Sequence, residues 1–313
     1  MSTFFKNWTL PIAIICGIIA YFVYAALPLP AAVRHIATAV VETLQPLLIF
    51  SMLFLSFCKT DIRRLRLRRS HGWLLLFQCG LFVLSALALH FLPMSAGIAV
   101  VTESAMLCLI CPTATAAAVV TQKLGGDAAD VTMYTLLINL AAALVVPLCV
   151  PLIYPHHSGS FYSAFALIIS KVFPLLIFPL LTAQFVRFCL PGLHRRVVKF
   201  HNLAFYLWAV ALCLAIAVTT HSIAVTHHPL IRLAGIALAS LACCVVQFWF
   251  GRKIGRRAGR LVSTSQALGQ KNTVFAIWLG YTYLNPATSL AGGFYSIWHN
   301  LYNTWQLRQT PKN

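Results

Sequence analysis

Acidic residues are almost absent: five Asp+Glu stand among 313 residues, and charged residues of all kinds make up 9% of the chain. A soluble domain carries about 25% charged residues, so a water-facing skin for a globule of this length is excluded. Disorder is excluded by the opposite feature, since it requires low hydrophobicity and 60% of this sequence is hydrophobic. Also missing are a glycine-rich phosphate loop, a nucleophile elbow and a credible catalytic triad, so no enzyme class is expected. The ten cysteines sit singly on apolar runs, apart from Cys243-Cys244 and Cys108-Leu-Ile-Cys111. There they are expected to act as small hydrophobes.

What is present is a mean hydropathy of +0.84 spread over the whole chain. A membrane-spanning helix needs about 20 apolar residues, and the runs divide into ten such spans. Leu10–Leu27 is read as a retained first span, being longer than the apolar core of a signal peptide. Next come Ala32–Phe57, Gly72–Phe91, Ala96–Thr121 and Asp127–Leu152. After a loop at His156-His157 come Ile168–Leu190, Asn202–Ser222, Ile231–Phe250, Val262–Tyr283 and a last span beyond Asn285-Pro286. Residues 160–170 are expected to lie along the interface, and His194 to Lys199 to form a basic turn.

The formal net charge of +18 rests on 23 Lys+Arg. Counted along ten alternating spans, nineteen basic residues fall on one side, Arg34 and Arg232 on the other, and Lys171 and Lys271 within or beside spans. Short cytoplasmic loops collect Lys and Arg. The split therefore predicts cytoplasmic N- and C-termini in an inner membrane, with the lipid bilayer rather than nucleic acid as partner. No obligate protein partner is implied. His156-His157 and His227-His228 would need further converging ligands to hold a metal, and no metal site is expected.

Five spans on each side of the His156-His157 loop give two repeats of opposite orientation, about residues 9–153 and 160–307. In each, the fourth span is interrupted by polar, helix-breaking residues: Cys111-Pro112-Thr113-Ala114-Thr115 and Gly269-Gln270-Lys271-Asn272-Thr273. Matched breaks are the best sequence pointer to a transporter site at the membrane midplane. Their unpaired backbone groups are tolerated there only where they line a cavity or bind something.

Several stretches resemble the bile acid:sodium symporter family. Phe54-Leu-Ser-Phe-Cys-Lys-Thr-Asp-Ile-Arg-Arg64 is similar to the family's stretch ahead of its first cytoplasmic loop. Cys111-Pro-Thr-Ala-Thr-Ala-Ala-Ala-Val-Val-Thr121 is similar to a Cys-Pro-Gly-Gly-Thr-Ala-Ser-Asn-Val-Val-Thr motif. Ala267-Leu-Gly-Gln-Lys-Asn-Thr273 stands where the family has Glu-Val-Gly-Met-Gln-Asn-Ser, and Ser296-Ile-Trp-His-Asn300 resembles Ser-Val-Trp-His-Asn.

The resemblance implies an all-α fold of ten helices in one membrane unit. Spans 1, 2, 6 and 7 would form a panel, spans 3, 4, 5, 8, 9 and 10 a core, and the broken spans four and nine would cross. It implies secondary transport of a small organic anion by alternating access, the core moving against the panel, normally driven by two sodium ions near the crossing.

Sodium prefers several oxygen ligands, and by this alignment most are gone. The span-nine Glu becomes Ala267, the span-four Ser and Asn become Ala117 and Ala118, and a span-five Ser becomes Val131. Thr135 is retained at the first site and Gln78 at the second, where the span-nine Gln is Lys271. Lys271 is therefore expected to stand in for a cation at the crossing, with Gln78 and backbone carbonyls as partners. Proton exchange by this Lys is a second form of the idea. No cofactor is expected, and sodium coupling in the family manner is not. Helix N-termini after the breaks favour an anion, with Thr113, Thr115, Asn272 and Thr273 as donors and His299 and Asn300 completing the pocket. Glu42 in span two and Glu103 near the outer end of span four are the carboxylates on spans; Glu42 is expected either to pair or carry a proton or to lie near an interface. An ordinary sodium-coupled symporter and a non-transporting sensor on the same scaffold are the alternatives.

Overall fold

A computed structural model describes residues 3–154, 160–200, 202–226 and 230–309. The histidine pairs His156-His157 and His227-His228 lie outside them. The chain is all-α: 87% is helical, with no strand among the described residues. The helices are α1 (Thr3–Ala26), α2 (Ala31–Cys58), α3 (Arg69–Phe91), α4 (Ala96–Ile110), α5 (Ala117–Lys123), α6 (Ala128–Ile153) and α7 (Phe161–Cys189). There follow α8 (Pro191–Lys199), α9 (Leu203–Thr226), α10 (Leu230–Ala258), α11 (Leu261–Gly269), α12 (Thr273–Tyr283) and α13 (Ser289–Gln309). Six of them, α2, α3, α6, α7, α9 and α10, are long and apolar enough to cross a membrane.

Their surface is that of a protein in an apolar solvent. Large apolar side chains such as Phe22, Leu76, Leu84, Phe185, Leu230 and Ile231 are exposed, while Ser263, Thr264, Ser265, Gln266, Gln270 and Lys271 are buried. In lipid the helix exteriors need no polar cover, and polar groups turn inward to one another.

Three expectations are corrected. Residues 161–170 do not lie apart along the interface; they are the first turns of the continuous 29-residue α7. The basic turn after α7 is a helix, α8, opened by a proline at its first position, where the missing N–H costs nothing. Helix α10 runs on past Phe250 to Ala258 and carries Arg252, Lys253, Arg256 and Arg257 on its last two turns. Charge ends an apolar run without ending a helix, because long basic side chains reach out from it to water.

The chain divides into two compact units. Unit 1 comprises residues 1–59 and 178–228, that is α1, α2, the end of α7, α8 and α9. Inside it α1 packs on α9 through Ala13, Leu212 and Ile216. A Cβ at Gly17 would stand 2.5 Å from the Cys213 carbonyl, so only glycine permits that approach. Unit 2 comprises residues 60–177 and 229–313 and holds both helix breaks. In it α10 lies hard against α11, since Cβ atoms at Gly251 and Gly255 would stand 2.6 Å from the Thr264 carbonyl and 2.7 Å from the Leu261 Cα. Small residues four apart let two backbones meet, and Thr264 Oγ1 donates to the Gly251 carbonyl at 2.8 Å.

Candidate functional site at the paired helix breaks

Unit 2 brings the two interruptions together. Between α4 and α5 the backbone at Cys111 to Thr113 leaves the helix, between α11 and α12 it does so at Gln270 to Asn272, and Thr113 and Lys271 form an antiparallel bridge. The Ala114 amide donates to the Gln270 carbonyl at 3.1 Å and the Asn272 amide to the Pro112 carbonyl at 2.8 Å. Each break thus satisfies part of the other's exposed backbone.

Several further carbonyls at the two helix ends are covered by side chains. The last C=O groups of any helix lack intrahelical donors, and stranded in an apolar interior each would cost several kcal/mol. Gln78 on α3 donates to the carbonyls of Ile110 and Cys111 at 3.3 and 3.0 Å. Its Oε1 accepts from the Tyr134 hydroxyl on α6 at 2.8 Å. Gln247 on α10 donates to the Cys108 carbonyl at 3.3 Å and to the hydroxyl of Tyr295 on α13 at 3.2 Å. That hydroxyl donates in turn to the Gly269 carbonyl at 2.8 Å. Thr113 Oγ1 donates to the Ala267 carbonyl at 2.7 Å, and the Cys111 thiol lies 2.8 Å from the Asn272 carbonyl.

Lys271 sits in this arrangement at 1% exposure. Its Nζ has no hydrogen-bond partner among the described residues. Gln78, expected beside it, is committed to the α4 carbonyls and Tyr134, so the expected Lys271–Gln78 pairing is not formed. No carboxylate of the described residues pairs with the ammonium, and the ionisable groups facing it are the thiols of Cys79, Cys108, Cys111 and Cys243. Its backbone amide points to Nδ1 of His299, at 3.5 Å, and the His299 ring stands edge-on to Tyr295.

The other expected ligand groups divide into two sets. Asn272 caps α12, its Oδ1 accepting from the Phe275 amide at 3.2 Å. Thr135 donates to the Val131 carbonyl of its own helix at 2.9 Å, and Asn300 donates to the Ser296 carbonyl at 2.7 Å. These side-chain groups are engaged locally. Thr115 is half-buried and Thr273 buried at the first position of α12; neither hydroxyl makes a hydrogen bond among the described residues. Helix α5 is only seven residues long and has no side-chain cap, so the positive helix end here belongs to α12.

Three of the apolar residues that the sequence sets at positions of interest also gather. Ala117, Val131 and Ala267 share one buried apolar cluster with Leu74, Tyr134, Ile138 and Leu268. The Tyr134 hydroxyl of this cluster is bound to Gln78. No family model and no curated protein matches the chain.

Two polar clusters stand at opposite ends of unit 2. At one, Asp130 on α6 is buried, with Arg68 Nε and His71 Nε2 each 3.2 Å away and Arg260 Nη1 at 3.6 Å. Beside it Asp127 caps α6 through the amides of Ala129 and Asp130 and meets Arg260 at 3.3 Å. At the other, Glu103 on α4 accepts from the Tyr154 hydroxyl at 2.6 Å and from the Asn285 amide at 3.3 Å. Glu42, by contrast, is exposed on α2.

Proposed function

We propose that the protein is a secondary transporter of a small organic anion, working by alternating access, with Lys271 in place of a bound cation and without sodium coupling of the family type. The reading takes the chain as a ten-span relative of the bile acid:sodium symporters, built as two inverted repeats with both termini cytoplasmic. The observation that carries it is the pairing of the two breaks around a buried, unpaired Lys271. A lysine at membrane depth costs about 2.5–3.5 kcal/mol, and intramembrane charges of this kind mark substrate and ion pathways.

The reciprocal bonds between Pro112 to Ala114 and Gln270 to Asn272 are those expected of two repeats related by a two-fold axis, and so support the inverted-repeat reading. Unit 1, with α1, α2, α9 and the end of α7, has the helix content of a panel. The apolar cluster around Ala117, Val131 and Ala267 argues against a first sodium site. An anion would meet the Lys271 ammonium, the N-terminus of α12 and the free hydroxyls of Thr115 and Thr273.

Thermal unfolding of detergent-purified protein in sodium, potassium and choline chloride tests the coupling, beside Lys271→Gln. A ligand at about 100 times its Kd adds about 2.7 kcal/mol to the native state. The expected result is one Tm in all three salts for the wild type, and a variant that is less stable or newly responds to sodium. A sodium-specific shift in the wild type overturns the reading. So does a Lys271→Gln protein unchanged in stability and in anion flux across proteoliposomes.

A further inference from the structure

Lys271 is set apart from the other basic residues by burial without a counter-charge. It is the one buried Lys or Arg among the described residues, and its Nζ has no hydrogen-bond partner there. The five carboxylates of the chain all stand elsewhere. Glu42 is exposed on α2, Asp61 accepts the Arg63 amide, and Glu103 is bound by Tyr154 and Asn285. Asp130 stands among Arg68, His71 and Arg260, and Asp127 meets Arg260.

The groups that do face Lys271 offer no substitute. Cys79 comes from α3, Cys108 from α4 with Cys111 just past its end, and Cys243 and Cys244 from α10. The sulfurs of Cys108, Cys111 and Cys243 stand 3.8, 2.8 and 3.7 Å from the carbonyls of Ala291, Asn272 and Ala105. Those oxygens accept from an S–H and would repel a thiolate. From α13, His299 accepts the Lys271 amide at Nδ1, and the Tyr295 hydroxyl goes to the Gly269 carbonyl. From α6, the Tyr134 hydroxyl goes to Gln78.

A lone charge in an apolar interior is disfavoured against its neutral form. A cation at this site therefore needs an anion brought from outside. Charge matters equally to the return of the empty protein, because a bare ammonium would cross the membrane field unpaired. With one proton and one negative charge aboard, or with neither, the site is neutral in both directions.

Resting on the transport reading above, we propose that the site carries a monoanion and one proton together. The Nζ lone pair takes the proton from water at the open side, and an N–H bond forms as the anion settles against it. On the far side that N–H bond breaks, the proton returns to water and the anion leaves. A dianion is refused, because a single buried cation leaves its second charge without a partner.

The proton is followed in proteoliposomes of the full wild-type chain holding a trapped pH dye. The probes are methanesulfonate, benzenesulfonate and naphthalenesulfonate. Sulfonates stay ionised at every working pH, so a proton that crosses with them is carried by the protein. An inward gradient of at least one is expected to acidify the lumen by one proton per anion, whether or not the membrane potential is clamped. Its apparent affinity should fall about tenfold per pH unit in alkaline buffer, as uptake of one proton requires. Benzenedisulfonate is expected to move neither itself nor a proton. A monosulfonate that crosses without a proton overturns the proposal and leaves the transport reading standing, as does equal transport of the disulfonate. If none of the probes binds or crosses, the transport reading falls and the proposal with it.

Lysine labelled with carbon-13 at Cε reports the empty site directly by magnetic resonance. In neutral detergent without probe at about pH 8, where exposed lysines are charged, one lysine signal is expected in the amine form. It should be absent from Lys271→Gln and move to the ammonium form when the probe binds. Lys271→Arg, whose guanidinium keeps its proton, serves for the assignment should the Gln variant not fold, and is expected to lose the tenfold pH dependence. An ammonium at Lys271 in the empty protein overturns the proposal.

Discussion

The hydroxyl of Thr113, in the first break, donates to the carbonyl of Ala267, in the last turn before the second, at 2.7 Å. Here a neutral donor on the opposite break covers that helix end. The charge at the crossing is left to Lys271.

Thr113→Val removes that donor without changing the side-chain volume much. A buried carbonyl then loses its partner, at a cost of about 1–3 kcal/mol, and hydrogen bonds measured inside membranes lie toward the lower end of such figures. Thr113→Ser keeps the hydroxyl and is expected to retain most of the stability. Thermal melts of the two variants in one detergent provide the check, and equal Tm values would refute the capping role.

Asp130 and Asp127 separate by burial. The Asp130 side chain is 2% exposed among three basic groups, while that of Asp127 is 46% exposed. Breaking a buried ion pair costs about 3–5 kcal/mol; an exposed pair contributes about 0–1. Asp130→Asn is therefore expected to lower the Tm markedly. Asp127→Asn, which also keeps a good helix cap, should lie within a degree or two of wild type.

Gly251→Ala would press a methyl group against the backbone of α11 at Thr264 and Ser265. Overpacking of this kind costs about 1–3 kcal/mol. At Gly97, on α4, nothing lies within 4 Å of an added Cβ, and Gly97→Ala should be neutral or stabilising by up to about 1 kcal/mol. Opposite signs in the two melts are expected; the same sign in both would mean that the α10–α11 contact is looser than described.

Tyr154→Phe removes one of the two donors to Glu103. A hydrogen bond to a charged group contributes about 1.5–3 kcal/mol. The variant is expected to unfold at lower temperature than wild type, and Glu103→Gln, which keeps an acceptor for the Asn285 amide, to fall by no more than Glu103→Ala. A Glu103→Ala protein as stable as wild type would exclude the link between α4 and the turn at Asn285.

Much of this arrangement could be read from the residues alone, and the exceptions have physical causes. Pro112 and the Gly269-Gln270-Lys271-Asn272 run announce the breaks because they cannot continue an apolar helix unaided. Gln247, Tyr134 and Tyr295 were passed over as ordinary members of their spans. A glutamine or tyrosine on an apolar run says nothing of which carbonyl it meets until the helices are packed. A faint signal did exist, since under the proposed two-repeat reading Gln78 with Tyr134 and Gln247 with Tyr295 stand on corresponding spans. Helix α8 was read as a turn because Pro191-Gly192 and its basic residues suggested one, although Leu193 and Val197 already kept a helical spacing. The Lys271–Gln78 pairing failed because an exposed helix end competes for the same amide.

The bonds that join the two breaks link residues 154 and 161 positions apart. During synthesis the first break therefore emerges long before its partner exists. Until residues near 270 arrive, the Pro112 carbonyl and the Ala114 amide lack the partners they have in the folded protein. The first half alone should thus be a substrate for quality-control proteases in the membrane. Two halves divided after Tyr154 and made together should rescue one another, with the meeting of the breaks as the last step of assembly.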